Sequence, residues 1–273
     1  MMIDPVTLGG LDYWSESYSK PIQSGARWLG LNLLAELDGE GEYYLDRTKG
    51  DLYVIPAGGA SATTAADLDL VVSVAETVMN VTASNVHFEG LNFIYSQGNG
   101  VEVNGDNIAF VGCTVSNVGA VGLTVTGIGT RVEGCHIHSS GCAAMSIQAG
   151  TRATLTAGNA SVMGNTLHDF SLWKRMYQPG VHFDAVGSRF TNNTIHDGPH
   201  AGMIGRANDC VFSNNNFTRL CTESGDAGAF YTGRSWADRG NSIVGNTFAH
   251  IRNTGAPIPL QAQNVHAIHF GEC

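Results

Sequence analysis

Seven copies of one six-residue pattern run through the middle of the chain, and their spacing limits what it can fold into. They read FEGLNF from Phe88, FVGCTV from Phe110, VEGCHI from Val132, VMGNTL from Val162, FTNNTI from Phe190, FSNNNF from Phe212 and IVGNTF from Ile243. The third position falls at Gly90, Gly112, Gly134, Gly164, Asn192, Asn214 and Gly245, giving spacings of 22, 22, 30, 28, 22 and 31. A period near 22 built on short alternating apolar segments is that of a β-solenoid, in which each repeat is one coil stacked on the last.

A second strand follows at a fixed offset. Gly100, Gly122 and Ala144 lie ten residues after the marker and open the runs VEV, LTV and MSI, which recur as VHF from Val181, MIG from Met203 and AFY from Ala229. Alternation along a strand sends Val101, Val103, Leu123, Val125, Met145, Ile147, Val181 and Phe183 inward. Equivalent positions on stacked coils form ladders, and one runs Leu91, Cys113, Cys135, Asn165, Asn193, Asn215, Asn246. Buried Asn amides can hydrogen-bond along such a stack. The chain is therefore expected to be all-β. It reads as a right-handed parallel β-helix over residues 61–273, incomplete at its C-terminus, after a segment over 1–60. In that first segment, GEYYLDR-TKG-DLYVIP (Gly41 to Pro56) predicts a β-hairpin. NLLAELD (Asn32 to Asp38) predicts a short helix or loop carrying Leu33, Leu34 and Leu37 inward, and LDLVVSV from Leu68 begins the solenoid.

Composition agrees: 35 Gly and 14% charged residues suit short strands and tight turns. A net charge of −10, with three lysines, argues against a nucleic-acid or anionic-membrane partner. No stretch is apolar enough to span a bilayer, and no signal-peptide pattern opens the chain. Of six cysteines, Cys113 and Cys135 sit in the inward ladder, where a thiol acts as a small hydrophobe. Cys142, Cys210, Cys221 and Cys273 show no metal-ligand spacing, so neither a metal nor another cofactor is expected.

The stretch NLLAELDGEGEYYLDRTKGDLYVIPAGG, and later ESGDAGAFYTGRSWADRGNSIVGNTF from Glu223, resemble segments of large microbial β-helix carbohydrate-active proteins. These belong to the pectate-lyase-like superfamily, in the subgroup holding glycoside hydrolases that act on xylan- and fucose-containing polysaccharides. The resemblance implies a polysaccharide or oligosaccharide substrate and an extracellular or periplasmic location. It also implies that the hairpin is an insertion after earlier coils and that more coils follow VHAIHFGEC, so that exposed solenoid ends could self-associate. Glu223 and Asp226 gain weight from it, because they stand in the shared E-x-x-D-A-G motif.

Extra residues between markers fall before and after the second-strand set, where long turns would wall a groove. Its floor would be Glu102, Thr124, Ser146, His182, Ile204 and Phe230, then Asn104, Thr126, Gln148, Asp184, Arg206 and Thr232. Two residues ahead of each opening position stand Gly98, Ala120, Cys142, Gln178, His200 and Asp226, which makes His200 and Asp226 expected neighbours. The candidate catalytic residues are Asp226, Glu223, Asp184 and His200. Candidate sugar contacts are His182, Arg206, Tyr231, Arg234 and Trp236. Carboxylates move protons, Arg meets uronate or hydroxyl groups, and an aromatic stacks on a sugar ring. A glycosidase needs two carboxyl groups about 5–5.5 or 6.5–9.5 Å apart, and Asp226 with Asp184 or Glu223 is the best pair available. The alternatives are a lyase, using Arg206, Tyr231 and His200 to abstract a proton beside a uronate, and a non-catalytic carbohydrate-binding or inactive β-helix. Asp226 before Ala-Gly can equally cap turn N–H groups. Finally, His138, His168 and His196 stack on successive coils beside Asp169 and Asp197, and read as a structural ladder bonded to turn carbonyls.

Overall fold

The computed structural model describes residues 30–56, 70–254 and 264–271, and the chain divides into two compact units, Met1–Val72 and Ser73–Cys273. In the first unit the expected hairpin forms. Tyr43–Asp46 pairs antiparallel with Asp51–Val54, Tyr43 opposite Val54 and Asp46 opposite Asp51. The Asp46 carboxylate accepts the N–H groups of Thr48 and Lys49 and so holds the turn. NLLAELD holds a single 3-10 turn over Leu34–Glu36. Leu33 and Leu37 are half-buried, but Leu34 is 57% exposed, because three residues in a tight turn cannot all face one way. The start of the solenoid at Leu68 lies outside the described residues.

The second unit is a right-handed parallel β-helix. Each coil contributes one strand to each of three parallel sheets. The first sheet runs from Thr77–Val81 through Asn99–Asn104, Leu123–Thr126, Met145–Thr151, Val181–Val186, Met203–Asn208 and Ala227–Thr232 to Val265–Phe270. The second runs from His87–Glu89 to Ser242–Val244, and the third from Asn92–Ser96 to Thr247–Ala249. All eight residues expected to point inward on the first sheet are at most 3% exposed. Like side chains stack along the axis: Phe190 lies on Phe212 with ring centroids 4.9 Å apart, and Phe217 on Phe248 at the same distance. Each fully buried Phe contributes about 1.5–3 kcal/mol of hydrophobic stabilisation.

The markers are corners. Gly90, Gly112, Gly134, Gly164, Asn192, Asn214 and Gly245 all have φ between 56° and 67° at the bend from second to third sheet. That left-handed conformation is open to Gly and tolerated by Asn, which is why the third position of the repeat takes only these two residues. The opening glycines answer to a different constraint. A Cβ on Gly100, Gly122 or Gly180 would stand 2.4–2.9 Å from a carbonyl oxygen of the next coil.

The buried polar ladder forms as expected. Asn165 Oδ1 accepts Cys135 N–H, Asn193 Oδ1 accepts Asn165 N–H, Asn215 Oδ1 accepts Asn193 N–H, and Asn246 Oδ1 accepts Asn215 N–H. Each Asn side-chain amide also donates, as Asn193 does to Val162 O and Asn215 Oδ1. The Cys113 and Cys135 thiols continue the ladder, buried, against Phe88 and Phe110 carbonyls. Leu91 holds the equivalent place but is 45% exposed, near the N-terminal end of the stack.

One register departs from expectation. Met203 pairs with Phe230 and Ile204 with Tyr231, so Phe230 faces the core, 2% exposed, and Tyr231 takes the outward column beside Ile204. A shift of one residue exchanges the two faces of a strand. Thr232 correspondingly pairs with Gly205 and leaves the column of Asp184 and Arg206.

Candidate functional site

The four longer turns lie at 151–160, 169–180, 219–226 and 233–241, and they bracket the first-sheet strands on both sides. Each side is braced by one arginine. Upstream of the strands, Arg175 from 169–180 grips Glu223 from 219–226, with Nε donating to Oε2 at 2.9 Å and a terminal nitrogen donating to Oε1. Downstream, Arg152 donates to Asn208 Oδ1 at 2.9 Å, to Ser235 Oγ at 3.0 Å and to the Asp238 carboxylate. Asp238 also accepts from Thr232 Oγ1 at 2.9 Å, which ties that wall to the strand.

Between these walls the outer face carries two columns. The inner column is Glu102, Thr124, Ser146, His182, Ile204, Tyr231 and His269, and the next is Asn104, Thr126, Gln148, Asp184 and Arg206. His182 and Asp184 are two residues apart on one strand, hence on one face about 6.6 Å apart along it. Arg206 is the strand partner of Asp184. Burial pushes the His182 pKa down; the Asp184 charge opposes that shift and Arg206 adds to it. His182 is therefore a neutral imidazole at neutral pH, within the field of one carboxylate and one guanidinium.

The other expected members are not gathered here. Glu223 is held by Arg175 as a brace. His200 is buried, 2% exposed, with its ring 4.9 Å from that of Tyr177. Its Nδ1 finds no hydrogen-bond partner, and burial lowers its pKa to about 4. Asp226, by contrast, has an 81% exposed side chain and a φ of 52°. The two were expected as neighbours, but the backbone carbonyl of His200 accepts the N–H of Cys221 on the next coil, and the two side chains part into core and solvent. Asp226 instead has His269 Nε2 3.8 Å from its Oδ1. Asp226 stands just ahead of the strand Ala227–Thr232, whereas Asp184 lies within Val181–Val186, with the strand Met203–Asn208 between the two. Tyr231 is buried, its ring edge-on to His269 at 4.7 Å. Arg234 is exposed, and Trp236 stands 91% exposed on the downstream wall.

His269, Arg175 and Arg152 escaped the sequence reading. The alternation in VHAIHF was the one signal for His269; the arginines join turns 48 and 86 residues away, and no repeat marks them.

The histidine column of the third sheet forms, with different partners from those expected. His138 and His168 stack at 5.0 Å, and His168 and His196 at 4.8 Å, both nearly parallel. Their Nδ1 atoms meet side chains rather than turn carbonyls: Ser139 Oγ at 3.0 Å, Asp169 Oδ2 at 2.7 Å and Asp197 Oδ2 at 2.6 Å. The left-handed φ of Ser139, Asp169 and Asp197 turns each of these short side chains back toward its neighbour. Arg219 holds Asp197 in turn, and its hydrogen bond is the main reason the Asp197 pKa falls to about 2.

No curated protein sequence matches the chain. Among solved structures, it is similar to the A-module of the mannuronan C-5 epimerase AlgE6 of Azotobacter vinelandii, at 13% identity and a TM-score of 0.45. That match covers 69% of this chain, which spans 65% of the module. A second similarity is to QnrB1, a plasmid-mediated fluoroquinolone resistance protein, at 9% identity and a TM-score of 0.22, covering 72% of this chain and 92% of that one. The family model described as "Right handed beta helix region" matches residues 77–217, just over half of the 273. With three parallel sheets, a left-handed corner on each coil and an inward asparagine ladder already in place, the chain belongs to the right-handed β-helix family.

Proposed function

We propose that the chain processes a polysaccharide laid across the outer face of the first sheet, and that His182, Asp184 and Arg206 do the chemistry on a uronate-containing chain. The observation that carries the reading is the grouping of these three on adjacent strands, with His182 kept neutral by burial. A neutral imidazole can take the proton beside a uronate carboxylate, an exposed guanidinium can neutralise that carboxylate, and Asp184 can stabilise the imidazolium that forms. In an elimination the C5–H bond breaks to His182 and the electron pair forms a C4=C5 bond. The C4–O bond then breaks, and the leaving oxygen takes a proton from solvent or an acid. The reaction class is that of the lyase alternative, but with His182 as the base in place of His200 and Tyr231, both of which are buried. Hydrolysis by two carboxylates has less support, because Glu223 is engaged by Arg175 and Asp226 turns to solvent beside His269, off the strands that carry Asp184 and Arg206.

The test is a panel of uronate-rich and neutral polysaccharides, with ultraviolet absorbance for the unsaturated product and reducing-end detection for hydrolysis. New absorbance, abolished in His182→Ala and Asp184→Asn and retained in Asp226→Asn, is the expected result. Reducing ends without absorbance, lost in Asp226→Asn, would return the site to a hydrolase. Saturable sugar binding without either product would leave a carbohydrate-binding module.

A further inference from the structure

On the outer face of the third sheet, His136 and His168 reach toward each other from adjacent strands, with their Nε2 atoms 2.7 Å apart. Asp169 Oδ2 lies 2.7 Å from His168 Nδ1. A carboxylate there takes the Nδ1 proton as its hydrogen bond, so the His168 Nε2 presents a lone pair, and it faces His136. His138 and His196 lie flat on either side of the His168 ring, at interplanar angles of 3° and 7°, and fix its orientation. His136 is exposed, so the pair is open to solvent on one side.

We propose that His136 and His168 form a two-nitrogen clasp for a transition-metal ion, best suited to Cu(II), with water filling the other positions. Two imidazole nitrogens about 2.0 Å from an ion stand roughly 2.8 Å apart at the right angle of a tetragonal site and roughly 3.3 Å apart in a tetrahedral one. The observed separation is close to the first and well short of the second, which favours Cu(II) over Zn(II). Cu(II) also heads the affinity order for nitrogen ligands. On binding, the proton that His136 shares with His168 through Nε2 moves by way of solvent to the His136 Nδ1. Both rings stay neutral, and each Nε2 lone pair is donated to the ion. Asp169 then acts as the outer partner that fixes the tautomer of a ligating histidine and raises its basicity. This clasp lies on a different sheet from the floor holding His182 and Asp184, and it stands whether or not that floor is catalytic.

The experiment is titration of the intact chain with Cu(II) alone near pH 7.5, followed by calorimetry and by electron paramagnetic resonance. One saturable ion with superhyperfine coupling to two nitrogens is expected. His136→Ala and His168→Ala should each weaken it at least ~10-fold, and Asp169→Asn by ~10–100-fold, the usual cost of losing an outer partner. His266→Ala, which removes one ring of the His266–His269 pair on the first sheet at 5.3 Å, should leave it unchanged. Because His136 is exposed, its alanine variant keeps the test usable if His168→Ala fails to fold. Binding that survives loss of both histidines, or coupling to fewer than two nitrogens, would overturn the assignment.

Discussion

Asn193 Oδ1 receives two hydrogen bonds from Asn165, one from the backbone N–H at 3.0 Å and one from the side-chain amide at 2.9 Å. One buried oxygen thus satisfies two donors of the neighbouring coil. Asn193 Nδ2 meanwhile donates to Val162 O and to Asn215 Oδ1.

Replacing Asn193 by Leu should therefore cost about 2–6 kcal/mol, since a buried group left without a partner costs about 1–3 kcal/mol and at least two are stranded. Asn246→Leu should cost less, because that site is only half-buried. Urea unfolding of both variants checks the order, and equal midpoints for Asn193→Leu and the parent would remove the ladder from the stability account.

His200 is buried as the neutral imidazole, with its pKa lowered to about 4. The unfolded chain, where His titrates near 6.5, binds the extra proton first, so stability is full above about 6.5 and falls as pH drops toward 4. The loss from this group approaches about 3 kcal/mol at the acid end. His200→Phe should flatten the difference in stability between pH 7 and pH 4.5; an unchanged difference would contradict the burial argument.

Asp197 has the same sign of pH dependence, because its pKa is also lowered, but folding favours its charged form rather than its neutral one. Its pKa of about 2 reflects hydrogen bonds from Arg219 and His196 to the ionised form. Its contribution is present above the ordinary carboxylate range and disappears only as pH falls through about 2. In Arg219→Gln the carboxylate should titrate nearer its usual value. Carbon-detected NMR of the Asp197 side chain would report this, and a midpoint still near 2 would assign the effect to His196 alone.

Arg175→Gln releases Glu223 and should loosen the upstream wall with little change in global stability, below about 1 kcal/mol for an ion pair this exposed. Limited proteolysis reads the difference. Cleavage within 169–180 should accelerate several-fold while the midpoint of unfolding holds. Resistance equal to the parent would mean that other contacts carry the wall.

Much of the fold was legible because a solenoid repeats its constraints. A corner that must be left-handed appears as Gly or Asn every coil, and a buried column shows the same residue class at one offset. The site was legible only in part. AGAFYTG offers Ala229, Phe230 and Tyr231 in a row, so no polar residue marks which of them faces out, and the strand slipped by one from its expected register. That slip put Phe230 in the core and Tyr231 in the outward column. His182, Asp184 and Arg206 were placed correctly because their strands hold clean alternation, VHFDAV over MIGRAN. The two arginine braces cross between turns of unrelated sequence, and only three-dimensional proximity reveals them.

The asparagine ladder also has a direction. Each amide serves the backbone of the coil on its N-terminal side, and Cys135, whose N–H donates to Asn165 Oδ1, can precede Asn165. The reverse junction would orphan the N–H of the preceding asparagine. A coil of the Asn type can thus be copied anywhere in the later half of the stack and find its bonds waiting, while a Cys coil can be added only ahead of it. Growth of such a protein by duplication, in nature or by design, has a grammar in which the order of coils matters as much as their shape.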